Sequence, residues 1–274
     1  MREFSGRNGP SALSLTGERT LPGLWHERYW FARHEIAYRH AGMMLAKLLA
    51  KLPAPTIAQR QPAALDAGCG EGYGAEHLRA ITGALVVGVD YDAATVAHLR
   101  DTYPHVRAVR GNLVALPLRP RCVDAVVSLQ TVEHVWDQPA FAAECVRVLR
   151  PGGVLVVSTP NRLTFSPGLG RGQRPTNPFH VNELDADELA ALLGREPVHD
   201  VQVLGVHHGP RLAAQESAHG SLVSAMLAQP YEEWDVALAA FVRTVAADDF
   251  VVTAGSSAKP LDRSLDLIAV GWAQ

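Results

Sequence analysis

Leu65-Asp66-Ala67-Gly68-Cys69-Gly70-Glu71-Gly72-Tyr73-Gly74 is an apolar strand end running into four alternating glycines. The lead-in Ala63 to Leu65 has the composition of a buried strand, and Ala75 to Ala80 beyond the glycines that of a helix. Strand, glycine turn and helix together bring backbone N–H groups up to a ligand. Glycine is required there where a side chain would collide with the ligand or where φ must be positive. The spacing is G-x-G-x-G, not the G-x-G-x-x-G of dinucleotide folds. Alone, the stretch fits an ordinary tight turn as well as a binding loop.

The next element decides between them. Ala84-Leu85-Val86-Val87-Gly88-Val89 is a short apolar run of the kind that buried parallel strands show. It ends at Asp90, about twenty residues past the glycines, where a carboxylate can take both hydroxyls of a ribose. Asp90 could instead cap the helix Ala93 to Leu99, but Asp92 suits that role better. The two elements point to a nucleoside-type cofactor and leave a nicotinamide and S-adenosylmethionine both open.

Length and composition restrict the rest. The 274 residues allow one large α/β domain with additions, and 47% apolar residues supply a sizeable core. A net charge of −3 argues against a nucleic-acid or membrane-surface binder. Cys69, Cys122 and Cys145 have neither metal nor disulfide spacing and are expected as small core residues in a reducing cytosol. No apolar run is long enough for a membrane span, and Met1 to Ser14 lacks the apolar region of a signal peptide. A cytoplasmic protein is expected.

Along the chain, residues 1–14 are expected to be mobile, and 15–61 to form an N-terminal lid and helix ahead of a domain spanning 62–274. Thr16 to Gly23 reads as an ordered loop, and Pro53 to Pro62 as a linker. Trp25 to Leu52 is helical by pattern, in two pieces: Trp25 to Phe31 and Ile36 to Leu52. The crowded aromatics Trp25, Tyr29, Trp30 and Phe31 either pack on the domain's rim or close over the cofactor. Further strands are expected at Val106 to Arg110, Val123 to Leu129, Val154 to Thr159, Val198 to Val206 and Ser264 to Trp272. A helix is expected over Pro139 to Leu149, and another up to Leu193 that Asp185 or Asp187 caps. The connection Pro160 to Asp185 is long and polar, as functional loops often are. Helices near Leu212 to Ala228 and Glu232 to Ala247 fall in an insertion at about 208–262. The β-α-β alternation predicts a parallel sheet.

Asp66-Ala-Gly-Cys-Gly-Glu-Gly, Val-Gly-Val-Asp90, Val-Glu133-His134-Val and Leu149-Arg-Pro-Gly-Gly together resemble class I S-adenosylmethionine-dependent methyltransferases of the type 11 group. The outer segments, among them Thr16-Gly-Glu-Arg-Thr-Leu-Pro-Gly, Ser158-Thr-Pro-Asn-Arg-Leu-Thr-Phe-Ser-Pro-Gly, Asn177-Pro-Phe-His and Ser264-Leu-Asp-Leu-Ile-Ala-Val, resemble actinobacterial members linked to methylated polysaccharides, the mycobacterial ones associated with methylglucose lipopolysaccharide synthesis included. The resemblance implies a Rossmann-like α/β fold: a seven-stranded, mostly parallel sheet with an antiparallel last strand and helices on both faces. It implies S-adenosylmethionine as cofactor. Asp66, Gly68, Cys69, Gly70, Gly72 and Tyr73 would form the turn beside its methionine part, Asp90 would hold the ribose and Tyr91 would pack on the adenine. Asn112 stands where the family often has Asp; its carbonyl can still accept from the adenine amino group, without the charge. The Leu113 N–H would meet the adenine, and backbone near Leu129 and Gln130 the methionine ammonium.

A sulfonium methyl needs an in-line nucleophile, and an alcohol is a poor one until a base takes its proton. His134 is the candidate base, oriented by Glu133 or Asp137. Trp30, Arg162, His180 and His208 are candidates for the acceptor side, with Arg171 and Arg174 near them in sequence or spacing. The histidines with an Asp or Glu could hold a metal, but no local spacing points to one and none is expected. The expected activity is O-methylation of a sugar hydroxyl on a glycan or glycoconjugate. The rivals are a natural-product methyltransferase and a cofactor-binding protein without turnover. A homodimer is compatible with all three.

Overall fold

A computed structural model of the chain describes residue 13, residues 19–51 and residues 60–274. The expected mobile terminus apart from residue 13, the first part of the Thr16 to Gly23 loop and most of the Pro53 to Pro62 linker lie outside the described residues.

The centre is one eight-stranded sheet. In chain order its strands are β1 (Ala63–Ala67), β2 (Leu85–Asp90), β3 (Arg107–Arg110), β4 (Val123–Leu129), β5 (Leu149–Pro160), β6 (Val198–His208), β7 (Phe250–Ala254) and β8 (Asp266–Ala273). Their spatial order is β3-β2-β1-β4-β5-β8-β6-β7. The first five are parallel, and β8 lies antiparallel between β5 and β6. The order reverses between β1 and β4, where the Rossmann-type crevice opens beyond the carboxyl ends of the strands. The class I topology expected from the sequence is present. The eighth strand, β7, was not expected; it pairs antiparallel with β6 at the sheet edge. Phe250-Val251-Val252-Thr253-Ala254 is β-branched, but it is short and directly follows a helical stretch, which hid its period.

Buried strands explain the continuous apolar runs. Ala64, Val86, Ala125 and Val127 face one core, while Leu65, Ala67, Val126 and Leu155 face the other. The first core is covered by α1 (Arg28–Leu49) and α2 (Tyr73–Thr82), and the second by α4 (Gln138–Val148) and α6 (Ala186–Gly194). Helix α3 (Ala93–Thr102) is capped by Asp92, whose side chain accepts from the N–H groups of Ala94 and Thr95. Asp90 is therefore not the cap.

Helix α1 is a single rod and not two pieces. Nothing between Phe31 and Ile36 breaks a helix, and a Glu35–Arg39 pair at 2.7 Å ties the end of the expected gap to the following turn. A single 3-10 turn, Trp25–Glu27, leads into it. Tyr29 is fully buried, its ring edge-on to Phe250 and its hydroxyl 2.6 Å from His208 Nε2. Arg33 Nε lies 3.1 Å from Asp266 Oδ2, tying α1 to β8. A Cβ on Gly74 would enter the Tyr38 ring, so this glycine sets how closely α1 approaches α2.

The long connection after β5 is ordered. It holds the short helix α5 (Arg162–Phe165) and ends in a capping box in which Asp185, not Asp187, caps α6. In the insertion, the first expected helix is two, α7 (Pro210–His219) and α8 (Leu222–Leu227), separated at Gly220 with φ 86°. Helix α9 (Val236–Arg243) is the second. Among the described residues no helix is long and apolar enough to cross a membrane. Cys69 and Cys145 are buried and Cys122 half-buried, all three as free thiols.

Candidate active site

A cleft of about 630 Å³ opens at the switch point. The turn after β1, the end of β2, the loop after β3 and the segment after β4 line it, and His34 and Tyr38 of α1 wall it from the side. Of the eleven residues proposed for cofactor contact, Gly68, Cys69, Gly70, Tyr73, Asp90, Tyr91, Asn112, Leu113 and Gln130 line this cavity. Asp66 and Gly72 do not: Asp66 is buried below the turn with both oxygens 3.3 Å from the Tyr38 hydroxyl. Burial pushes its carboxyl up to about 7.

The turn's geometry is built for close approach. Gly68 has φ 82°, and a Cβ there would strike the Thr131 side chain across the crevice. The Gly70 N–H donates to Asp90 Oδ2 at 3.0 Å, and the Asp92 N–H donates to Oδ1 at 3.0 Å. The Asp90 carboxylate is thus aimed by two backbone donors before any ligand arrives. Tyr91 is 70% exposed at the cleft, and Arg110 Nε holds its carbonyl at 3.0 Å. Asn112 Oδ1 already accepts from the Val114 N–H at 3.1 Å, so only its remaining lone pair faces other donors. Gln130 stands at φ 53° with its amide on Ser158 Oγ at 2.9 Å. Non-glycine residues held left-handed in this way collect at functional sites.

Glu71, Thr131 and Trp136 also line the cleft but were not assigned from the sequence. Glu71 meets His98 Nε2 at 2.7 Å and the Tyr103 hydroxyl at 2.9 Å, partners far along the chain that no local pattern reveals. Trp136 is 87% exposed; its place next to His134 was the available signal.

The His134 neighbourhood differs from expectation. Asp137 caps α4 through the Ala140 N–H and does not orient His134. The Phe179 carbonyl, 3.1 Å from Nδ1, helps to orient the ring. A carbonyl only accepts, so Nδ1 carries the proton and Nε2 is the basic nitrogen. Glu133 Oε1 lies 4.0 Å from that Nε2, beyond hydrogen-bond range. Glu133 is 1% exposed, and burial pushes its carboxyl up to about 8. His180 packs edge-on against His134 with ring centres 4.9 Å apart, its Nδ1 2.6 Å from Glu183. Thus the fold brings together Glu133, His134 and His180, a convergence that their loop positions allowed and no local spacing specified.

The other acceptor-side candidates stand apart from the cleft lining. Trp30 packs against Phe165 and under the Arg33 guanidinium. His208 sits between Tyr29 and Glu216. Arg162 is buried, with its guanidinium on Asp185, Glu188 and the Leu169 carbonyl. Its donors hold the start of α6 and are not presented to a ligand, which corrects the expectation. Arg171 joins the same acids from the surface, and Arg174 is exposed. Arg162→Ala leaves the buried Asp185 and the half-buried Glu188 without their main partner and is expected to cost about 3 kcal/mol of stability. Chemical denaturation checks this; a stable variant that lost turnover would return Arg162 to the acceptor side.

Comparisons with known proteins agree with this geometry. A methyltransferase-domain family matches residues 65–157. A protein of Mycolicibacterium smegmatis named a probable S-adenosylmethionine-dependent methyltransferase is 48% identical over 264 residues, covering 95% of each chain. One of Mycobacterium tuberculosis with the same description is 46% identical over 279 residues, covering 98% of this chain and 95% of the other. In fold, the chain resembles the crystal structure of an S-adenosylmethionine-dependent methyltransferase from Thermotoga maritima, described as a possible histamine N-methyltransferase, with a TM-score of 0.54 at 16% identity over 89% of this chain and 93% of that one.

Proposed function

The chain belongs to the S-adenosylmethionine-dependent methyltransferases, and from that premise we propose that it methylates a hydroxyl oxygen of a sugar-bearing acceptor. The observation that carries this is the shared cavity: His134, with Nε2 as its basic nitrogen, lines the same cleft as the anchored Asp90 carboxylate and the Gly68–Gly70 turn.

The residues present fit the cofactor. The cleft has room for a nucleoside, the Gly68–Gly70 turn brings bare backbone to its lining, and Asp90 offers a carboxylate fixed by two N–H groups. In this proposal Asp90 takes the ribose hydroxyls, Tyr91 and the Leu113 N–H meet the adenine, and the Gly68–Gly70 turn with Gln130 borders the methionine part. When bound, the cofactor would supply an electrophilic methyl, leaving the electron pair of the broken bond on sulfur as the acceptor oxygen takes the methyl and gives up its hydroxyl proton. The chain's own part is to orient the two partners, exclude water and assist loss of that proton at His134. Arg19 and Thr20 border the cleft, with Arg19 Nη2 2.6 Å from Thr95 Oγ1, so the segment ahead of α1 is placed to close over it.

A second hollow of about 430 Å³ supports a sugar acceptor. Trp30, Tyr231 and Trp234 line it, with His26 stacked on Tyr231 at 3.8 Å. Flat rings with a polar edge suit the C–H face of a pyranose, and Glu27 in the wall offers a hydrogen-bonding carboxyl. Trp30 and His34 are one helical turn apart, so hollow and cleft lie along one face of α1. An acceptor longer than one sugar can span both.

The test is label transfer from methyl-labelled cofactor to oligosaccharides, phenols and amines offered in parallel. Label on an oligosaccharide hydroxyl, with release of S-adenosylhomocysteine, is expected. Transfer to phenols or amines alone would overturn the sugar acceptor, and no release with any class would leave a cofactor-binding protein.

A further inference from the structure

We propose that Glu133, His134 and His180 hold one divalent transition-metal cation whose open positions receive the acceptor's hydroxyl oxygen. The second half rests on the methyltransfer proposed above; the site itself does not.

Each of the three residues offers a ligand atom, and these atoms all lie within 4.8 Å of one another. The cluster is braced by backbone. Glu133 and His134 share the 3-10 turn Val132–His134 after β4. The segment after His180 is pinned to that turn, with the Val181 N–H donating to the Glu133 carbonyl at 2.7 Å.

The protonation pattern is that of metal-binding imidazoles. His134 Nδ1 donates to the Phe179 carbonyl at 3.1 Å, and His180 Nδ1 donates to the Glu183 carboxylate at 2.6 Å. Both rings therefore direct basic Nε2 atoms elsewhere. A ligating histidine typically gives its other N–H to a carbonyl or carboxylate, which fixes the ring and raises its basicity. Here both forms of that support occur side by side.

Glu133 supplies the independent observation. Its side chain is 1% exposed, and Oε2 has no hydrogen-bond partner. Its other oxygen stands 4.0 Å from the basic Nε2 of His134. A buried carboxyl with one oxygen unpartnered and the other facing an imidazole nitrogen is a pair of donors that a cation can bridge. Asn177 Nδ2 lies 3.0 Å from His180 Nε2, and the cation takes its place as that nitrogen's partner.

Ligand chemistry selects the ion. Two imidazoles and one carboxylate suit zinc, iron, cobalt or manganese, whereas magnesium and calcium prefer oxygen-only sites. Three protein ligands leave coordination positions open, and His134 faces the cleft. A hydroxyl bound there loses its proton to solvent at a lower pH than a free alcohol does, so the oxygen is nucleophilic where the methyl is presented.

The test uses the full chain stripped with chelator, titrated by calorimetry with Co²⁺, Mn²⁺, Zn²⁺ and Mg²⁺ one at a time, without cofactor or acceptor. One equivalent of a transition ion is expected, binding at least tenfold more tightly than Mg²⁺. Glu133→Gln, which keeps the shape, and His180→Ala should each weaken Co²⁺ binding at least tenfold and alter its visible spectrum. Asn177→Ala should bind Co²⁺ at least as tightly as the parent chain, because the competing amide is gone. S-adenosylmethionine titrations of the same samples report whether each variant is folded. Absence of stoichiometric binding, or binding unchanged in both Glu133→Gln and His180→Ala, overturns the site. Full transfer by the stripped enzyme overturns the ion's role and leaves hydroxyl methylation standing.

Discussion

His134→Ala is expected to lower kcat about 10²- to 10⁴-fold and leave S-adenosylmethionine affinity nearly unchanged. The substitution removes the one basic nitrogen that the Phe179 carbonyl directs at the cleft, while Asp90, the glycine turn and Gln130 keep their backbone anchors. The loss should fall on kcat, because proton removal matters in the transition state and not in cofactor binding. Calorimetry for the cofactor and initial rates with a hydroxyl acceptor separate the two. His180→Ala distinguishes direct proton transfer from help by an ion. A purely direct base leaves His180→Ala within a few-fold of the parent rate. An ion held by both histidines makes the two losses comparable, and excess Co²⁺ then restores part of the His180→Ala rate. Wild-type turnover in both variants would leave positioning alone to explain catalysis.

The parts of this molecule legible in the sequence are those with short-range physical signals. The glycine turn, the strand ending at Asp90 and the Asp92 cap are each written in a few consecutive residues, because φ > 0, burial and capping act locally. Nine of the cofactor-contact candidates line one cavity for the same reason: they follow strand ends, and parallel strands deliver their carboxyl ends to one side. What stayed hidden depends on distant pairing. The partners of His134 and His180 are Phe179 and Glu183, and the connection that carries them has no periodic pattern to place it. Arg162 looked like a ligand-reading side chain because exposure cannot be read from a loop sequence, yet its guanidinium stabilises the start of α6. Strand β7 was masked by the helical stretch before it, and Tyr38 reaches Asp66 only because Gly74 lets α1 come close.

Asp90→Ala is expected to weaken S-adenosylmethionine binding about 100-fold. Two ribose hydroxyls can each donate to the carboxylate, and a charge-assisted hydrogen bond contributes about 1.5–3 kcal/mol, so losing both costs at least about 3 kcal/mol, or two decades in Kd. The carboxylate also accepts from the Gly70 and Asp92 N–H groups, so the change has a structural side as well. Asp90 is half-buried, and water can reach those donors once the side chain is gone, which keeps the loss of apo stability near the scale of ordinary exposed hydrogen bonds, about 1 kcal/mol. Binding and stability therefore part company. Denaturation of the cofactor-free variant should shift little, while calorimetric affinity falls by the larger factor. Asp90→Asn sharpens the comparison, since one oxygen is kept and the amide nitrogen cannot accept from either the turn or a ribose hydroxyl. Its affinity should lie between parent and alanine variant. Unchanged affinity in both would remove Asp90 from the cofactor site, and an equal fall in apo stability would reduce its role to bracing the turn.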